Sequence, residues 1–195
     1  MDDDHIEKWR RQERRRLLAE RLTVRPEQHR RWSAAIESRL SPLLNGLPGT
    51  VIGLYWPVRA EFDARPLAAG LRERGRMTAL PAVIERGGRL EYRIWEGDAE
   101  VIEGLYGIPV PKERWLANPG IVVVPVVGFD AANYRLGYGG GYFDRTLAAL
   151  EPRPLAVGVG FEAARLETVF PRSHDIAMDI VVTEACLQRK TGAEQ

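Results

Sequence analysis

Hydrophobic residues along the chain change their spacing several times, and each change marks a predicted element. Residues 6–21 contain no glycine or proline and are dense in arginine, glutamate and leucine, which predicts a helix with a thin apolar stripe. After a break at Thr23, Pro26 suits a first helical turn. Trp32, Ile36, Leu40, Leu43 and Leu44 then recur at three- and four-residue steps, so a second helix with one apolar face runs to Asn45-Gly46. Across Leu47-Pro48-Gly49 the pattern becomes the β-branched run TVIGLYW, read as a buried strand. In EFDARPLAAGLRERG, Pro66, Leu67 and Leu71 fit a short helix closed by a left-handed Gly75, and MTALP resumes an extended run.

Residues 82–95 place Gly87-Gly88 between two alternating runs, which predicts a hairpin with a type I′ or II′ turn. IVVVPVVGFD is almost continuously apolar and reads as a central strand covered on both faces. It leads into RLGYGGGYFDRTLAAL, a glycine-rich loop that passes into a helix through Leu147 and Leu150; LAVGVGF and DIVVT supply two more strands. Strands alternating with helices predict an α/β fold with a mainly parallel central sheet. No repeat, low-complexity tract or linker divides residues 1–195, so a single domain is expected.

Composition narrows the class. A chain of 195 residues can bury roughly 70% of its extended surface around one core. Its single cysteine, Cys186, excludes an internal disulfide framework. The opening MDDDHIEKWRR has no apolar stretch of the kind a secretory signal needs, and no apolar run approaches the ~20 residues that span a bilayer, so a cytoplasmic protein is expected. The formal charge of +1 conceals a division: residues 8–31 carry ten basic side chains against three acidic ones, a surplus of +7, and the remainder is acidic. Nucleic acid, an anionic membrane surface and a nucleotide are all compatible with such a head. The strong preference for arginine over lysine reads as genome composition.

The most informative segment is strand, glycine loop, helix over residues 121–150. Gly137, Gly139, Gly140 and Gly141 expose backbone N–H groups that at a helix start can cradle phosphate oxygens. The loop lacks the ending of a Walker A motif and the spacing of a Rossmann fingerprint. Arg135, Tyr138, Tyr142, Asp144 and Arg145 surround it: an arginine for phosphate, aromatics for a flat ring and a carboxylate for a metal. Asp144 is equally a candidate cap for the following helix. A second carboxylate for Mg²⁺ would come from His174-Asp175 or Asp179, and the three scattered histidines give no zinc site. Glu61 follows a strand end, where carboxylates tend to face a ligand crevice, while Tyr55 and Trp56 beside it are core residues or a ring platform.

The ordered segments LYWPVRAEFD, LPAV, GIPVP, VVVPVVGFD, YRLGYGGGYFDRTL, AVGVGFE and HDIAMDIVVTE resemble the 5-formyltetrahydrofolate cyclo-ligase family, also called methenyltetrahydrofolate synthetase, over about residues 8–184. The resemblance implies a three-layer α/β/α sandwich. It also implies use of Mg·ATP to convert 5-formyltetrahydrofolate into 5,10-methenyltetrahydrofolate with release of ADP and phosphate. Carried over by position, Arg135, Leu136, Gly137, Tyr138, Gly139, Gly140, Gly141, Tyr142 and Phe143 form the ATP phosphate loop, with Tyr138 through Tyr142 also bordering the folate. Trp56 and Glu61 contact the folate, Asp144 and Asp175 bind Mg²⁺, and Arg135, Tyr142 and Asp144 take part in catalysis. The family's first helix typically offers a Lys and, four residues on, an Arg. Here Lys8 is followed at that spacing by Gln12, so Arg11 and Arg15 are favoured for ATP, with Arg14 as their rival. Phe143 stands where many members have Tyr.

No covalent nucleophile is expected, and Cys186 is read as passive. The expected partners are ATP and the folate alone, with no nucleic acid or membrane, and the expected state is a monomer. Two competing readings remain at this level: an RNA-binding module that uses the basic head, and another ATP- or CoA-dependent transferase on a related scaffold.

Overall fold

The computed structural model describes residues 2–47 and 51–190. The expected change of pattern at Pro48-Gly49, together with Thr50, lies outside the described residues. Helix α1 (Asp3–Leu22) starts where Asp2 accepts the His5 N–H at 2.9 Å, and α2 (Pro26–Asn45) begins with its proline. Among the described residues of the run TVIGLYW, only β1 (Ile52–Gly53) pairs as a ladder. Then follow α3 (Ala64–Glu73), β2 (Thr78–Val83), β3 (Leu90–Ile94), β4 (Val101–Glu103), β5 (Pro109–Pro111), β6 (Leu116–Ala117) and β7 (Ile121–Pro125). The chain continues through β8 (Gly128–Phe129), β9 (Arg135–Leu136), α4 (Tyr142–Ala149), β10 (Leu155–Val159), β11 (Ile180–Val182) and β12 (Leu187–Arg189).

Eight strands form the main sheet in the order β12-β11-β10-β7-β1-β2-β3-β6. The middle five run parallel, and the outer pairings β11 with β12, β2 with β3 and β3 with β6 are antiparallel. The apolar run puts β7 at the centre, and its side chains divide between the two faces. Ile121 and Val123 join Ile36, Leu40 and Leu44 of α2 and Leu67 and Leu71 of α3. Val122 and Val124 join Leu147 of α4, Phe129, Tyr92 and Met178. Helices on both faces of a mostly parallel sheet make the expected three-layer α/β/α sandwich. A third cluster, Leu17 with Val127, Leu136 and Val169, seats α1 beside the strand that enters the glycine loop.

Two local expectations are corrected. The hairpin between β2 and β3 closes from Val83↔Leu90, so six residues separate the strands rather than two. Its turn over Glu85–Gly88 has positive φ at Gly87 (75°) but not at Arg86. That is the type II pattern, which a longer loop tolerates because no twist need pass directly between the strands. The central strand also does not run straight into the glycine loop. A short hairpin, β8 with β9, intervenes, and its turn is built on Asp130, whose Oδ1 accepts the N–H of Ala132 (3.1 Å) and Tyr134 (3.0 Å).

Sheet and ring meet closely at Gly53, where a Cβ would come within 2.7 Å of the buried Tyr92 ring. Gly53→Ala is expected to cost about 1–3 kcal/mol by overpacking. A fall in the urea midpoint at unchanged slope would register that cost.

Candidate active site

The sheet reverses its winding between β1 and β7: β1 leads to β2 on one side and β7 leads to β10 on the other. In α/β sheets of this kind the crevice outside the carboxyl ends of the strands, at the reversal, is the place for a ligand. The segment after β1 brings Glu61 to this point, and the segment after β7 brings the glycine loop. They touch there, since the Tyr138 hydroxyl donates to Glu61 Oε1 at 2.6 Å.

The loop is shaped by glycines where side chains are excluded. Gly139 (φ 95°) and Gly141 (φ 63°) take left-handed backbone, and Gly141 opens α4 with no side-chain cap. Its carbonyls are engaged: Arg14 Nε donates to Gly137 O at 2.8 Å, and Arg145 bridges Gly140 O and Gly88 O of the hairpin loop. Among the described residues no acceptor meets the N–H groups of Gly137 through Gly141. Free amides at a helix start, ringed by guanidinium groups, form a concavity for an anion.

Asp144 does not cap α4. Its Oδ2 accepts Arg135 Nη2 at 2.8 Å and its Oδ1 accepts the Ile176 N–H at 3.0 Å. Asp175 is paired in the same way, with Arg10 Nη1 at 2.8 Å and the Arg172 N–H at 2.8 Å. Burial pushes the Asp175 carboxyl up, yet the donors from Arg10 and Arg172 outweigh it and hold the group below the ordinary carboxylate range. The contact from Ile176 to Asp144 brings the two carboxylates to one place, whereas Asp179 lies with Arg153 (3.0 Å) and the Ala156 N–H (2.8 Å) at the amino ends of β10 and β11. His174 is exposed and 3.9 Å from Asp175.

The first helix meets the loop one residue out of the expected phase. Arg11 and Arg15 are exposed, and the inward pair at the same four-residue spacing is Arg10 and Arg14. Burial and the neighbouring Arg10 lower the pKa of Arg14 from its ordinary value. Arg21, two turns further along the same face, was not anticipated. The phase was available in the buried Leu17, since positions 10, 14, 17 and 21 share one helical face.

Glu61 is 5% exposed, with its Oε2 accepting the Val58 N–H at 2.8 Å. Burial raises its pKa, and the Tyr138 hydroxyl works against that rise. Tyr138, 40% exposed, lies over Glu61 with its own pKa raised by burial and by that carboxylate. Tyr142, at the start of α4, contacts the Tyr106 hydroxyl at 2.8 Å and accepts the Gly87 N–H at 3.2 Å, and these bonds lower its pKa. Phe143 lies 6.0 Å under the Arg135 guanidinium. Trp56 packs against Trp95 (6.2 Å) and under Arg65 (5.1 Å) at the border of the core that holds Tyr55, whose hydroxyl donates to Phe62 O at 2.9 Å.

No group of three or more His, Cys, Asp or Glu that could hold a metal occurs among the described residues. A protein-only cage is therefore not built. The donor set fits Mg²⁺ all the same, because that ion is commonly held by one or two carboxylates together with substrate phosphates. Asp144 and Asp175 each keep lone pairs beyond the bonds they accept.

A model of the 5-formyltetrahydrofolate cyclo-ligase family matches residues 6–184. The chain is 25% identical over 170 residues to 5-formyltetrahydrofolate cyclo-ligase of Escherichia coli, covering 84% of this chain and 93% of that one. It is 27% identical over 176 residues to the enzyme of the same name from Mycolicibacterium smegmatis, covering 86% and 89%. Among solved structures, that of Aquifex aeolicus 5,10-methenyltetrahydrofolate synthetase superposes with a TM-score of 0.82 at 29% identity, over 95% of each chain. That of a Mycoplasma pneumoniae 5,10-methenyltetrahydrofolate synthetase gives 0.75 at 20% identity, covering 90% of this chain and 98% of the other, a likeness of fold.

The Arg10–Asp175 pair, with side chains 7% and 9% exposed, fastens α1 to the segment before β11. Arg10→Ala is expected to cost about 3 kcal/mol by stranding a buried carboxylate, and Arg10→Met combined with Asp175→Asn to cost less. Because the folded pKa of Asp175 is depressed, its contribution is present at neutral pH and lost on acidification. The stability gap between the parent and Asp175→Asn should therefore narrow as the pH falls below about 4; urea melts across that range measure both.

Proposed function

The chain belongs to the 5-formyltetrahydrofolate cyclo-ligase family, and on that premise we propose that it uses Mg·ATP to convert 5-formyltetrahydrofolate into 5,10-methenyltetrahydrofolate, releasing ADP and phosphate. The observation that carries the reading is the junction at the sheet reversal, where a cradle of backbone amides ringed by arginines abuts a buried carboxylate. One half suits a triphosphate and the other a planar ligand rich in N–H donors.

The chemistry asks for this division. A formyl oxygen is a weak nucleophile and a poor leaving group, so ring closure requires its activation. The formyl oxygen attacks the γ-phosphorus, and ADP departs. The N10 nitrogen then attacks the activated carbon and loses its proton to solvent, and the oxygen leaves with phosphate as the methenyl bridge forms. Phosphoryl transfer needs chiefly positioning and neutralisation of charge. The amides of Gly137 through Gly141, with Arg14 and Arg135, hold the phosphates. Tyr142 and Phe143 close the loop's end, and Glu61 with Tyr138 holds the folate. Asp144 and Asp175 would hold Mg²⁺, which would supply neutralisation of the phosphate charge. Arg135 and Arg10 aim these carboxylates through the bonds they donate to Asp144 and Asp175.

A mixture of purified protein, Mg·ATP and 5-formyltetrahydrofolate is expected to develop the methenyl absorbance with stoichiometric ADP, and absence of product with any divalent metal refutes the reading. Asp144→Asn is expected to lower turnover by about a hundredfold or more, with circular dichroism unchanged. Arg14→Ala should raise the KM for ATP about tenfold, the loss of one charge-assisted hydrogen bond, while Arg11→Ala and Arg15→Ala leave it near the parent value. Larger effects from Arg11→Ala and Arg15→Ala than from Arg14→Ala would return the helix to the phase expected from sequence.

A further inference from the structure

Between Val58 and Glu61 the chain makes a tight turn, closed by the Glu61 N–H on Val58 O at 3.0 Å. Its two central residues, Arg59 (φ 48°) and Ala60 (φ 57°), are both left-handed without being glycine, asparagine or aspartate. Such a pair is costly for residues with a Cβ and persists only where the surroundings enforce it. The enforcement comes from the two N-terminal helices. Arg21 Nε of α1 donates to Arg59 O at 2.9 Å, and His29 Nε2 of α2 to Ala60 O at 3.1 Å.

Arg21 does more than hold the turn. Its Nη2 donates to the Tyr138 hydroxyl at 2.6 Å, so that oxygen accepts from Arg21 and its proton is directed to Glu61 Oε1. The same nitrogen lies 4.0 Å from Glu61 Oε1, and Nη1 reaches Val126 O, just past β7, at 3.4 Å. One side chain, 9% exposed, thus ties together both segments that meet at the sheet reversal.

We propose that Arg21 is a positioning residue for the folate half of the site: through the strained Val58–Glu61 turn and the Tyr138 hydroxyl it holds the buried Glu61 carboxyl group aimed at the folate. This inference rests on the reading of Glu61 given above. It assigns one member of the basic head to the folate, whereas Arg10 and Arg14 serve the loop and its carboxylates. The groups that face Glu61 are Arg21 from α1, Tyr138 from the glycine loop, Arg59 from its own turn and Tyr55 from the strand end, with His29 of α2 behind Ala60 O. Burial works against the ionised form of Glu61, and Tyr138 and the two arginines work for it.

The test compares parent, Arg21→Ala, Arg21→Lys and Tyr138→Phe by initial rates of methenyl formation, with each substrate varied separately, and by direct titration with 5-formyltetrahydrofolate in the absence of ATP. Arg21→Ala is expected to raise the KM and the dissociation constant for the folate about tenfold or more, as for loss of a bond to a charged group, with the KM for ATP unchanged. The acid limb of kcat/KM for the folate is expected to move to higher pH in Arg21→Ala and in Tyr138→Phe, because each removes a group that favours the carboxylate. Arg21→Lys, which keeps the charge, should return the limb toward its parent position. Tyr138→Phe loses only one hydroxyl from a partly exposed residue, so it keeps the test open if Arg21→Ala does not fold. An inactive parent refutes the cyclo-ligase reading itself. An active parent whose variants raise both KM values together, or leave the acid limb in place, overturns the role of Arg21.

Discussion

A loop of five residues, four of them glycine, has almost no side chains with which to hold its own shape, so its form depends on the ion pair closed across its two ends. Arg135 enters from β9 and Asp144 returns from the first turn of α4, 2.8 Å apart and mostly withdrawn from water. The pair is anchored on both sides by the segment before β11, since Arg135 also donates to Ile176 O at 3.2 Å and Asp144 accepts the Ile176 N–H. A buried charge that loses its partner is costly, so each end of the loop enforces the position of the other. The N-cap of α4 is Gly141, which has no side chain to cap it, and Asp144 in the first turn is committed to Arg135, so the helix start stays open to an anion.

Electrostatics follow the same economy. A near-neutral chain has separated its charge and then used the basic half inward. Arg10, Arg14 and Arg21 lie on one face of α1 and each meets a different part of the site: the carboxylate before β11, a loop carbonyl, and the turn that carries Glu61. Arginine suits this service because its fork makes several directed bonds while remaining charged in a partly buried place. Arg11 and Arg15, one step round the helix, face water. The basic surplus of the head is therefore divided between a working face and a solvated one, and only the first bears on the crevice.

Much of the architecture was legible along the chain. The two N-terminal helices, the left-handed Gly75, the central β7 strand and the alternation of strands with helices all follow from periodicity and punctuation, which are local. The glycine loop and its flanking Arg135 and Asp144 were equally visible, because they stand within ten residues of one another in the sequence. What failed locally failed for tertiary reasons: the turn at Gly87-Gly88 lies in a longer loop tied to Tyr142 and Arg145, and Asp144 prefers a buried arginine to the role of cap.

By itself the sequence determined the fold class, the loop and the residue types able to handle phosphate, metal and a flat ring, since each rests on composition and near-neighbour spacing. Only the tertiary structure decided which members of an arginine-rich helix face the crevice. In α1 the apolar stripe is too thin to fix the helical phase, and Leu17 settling against Val127, Leu136 and Val169 is what turns Arg10, Arg14 and Arg21 inward. The same is true of the carboxylates. Asp175 and Asp179 are four residues apart, yet one reaches Arg10 and the neighbourhood of Asp144 while the other pairs with Arg153 at the amino ends of β10 and β11. Contacts that span 165 residues, such as Arg10 with Asp175, depend on how the layers stack, and no local pattern encodes them.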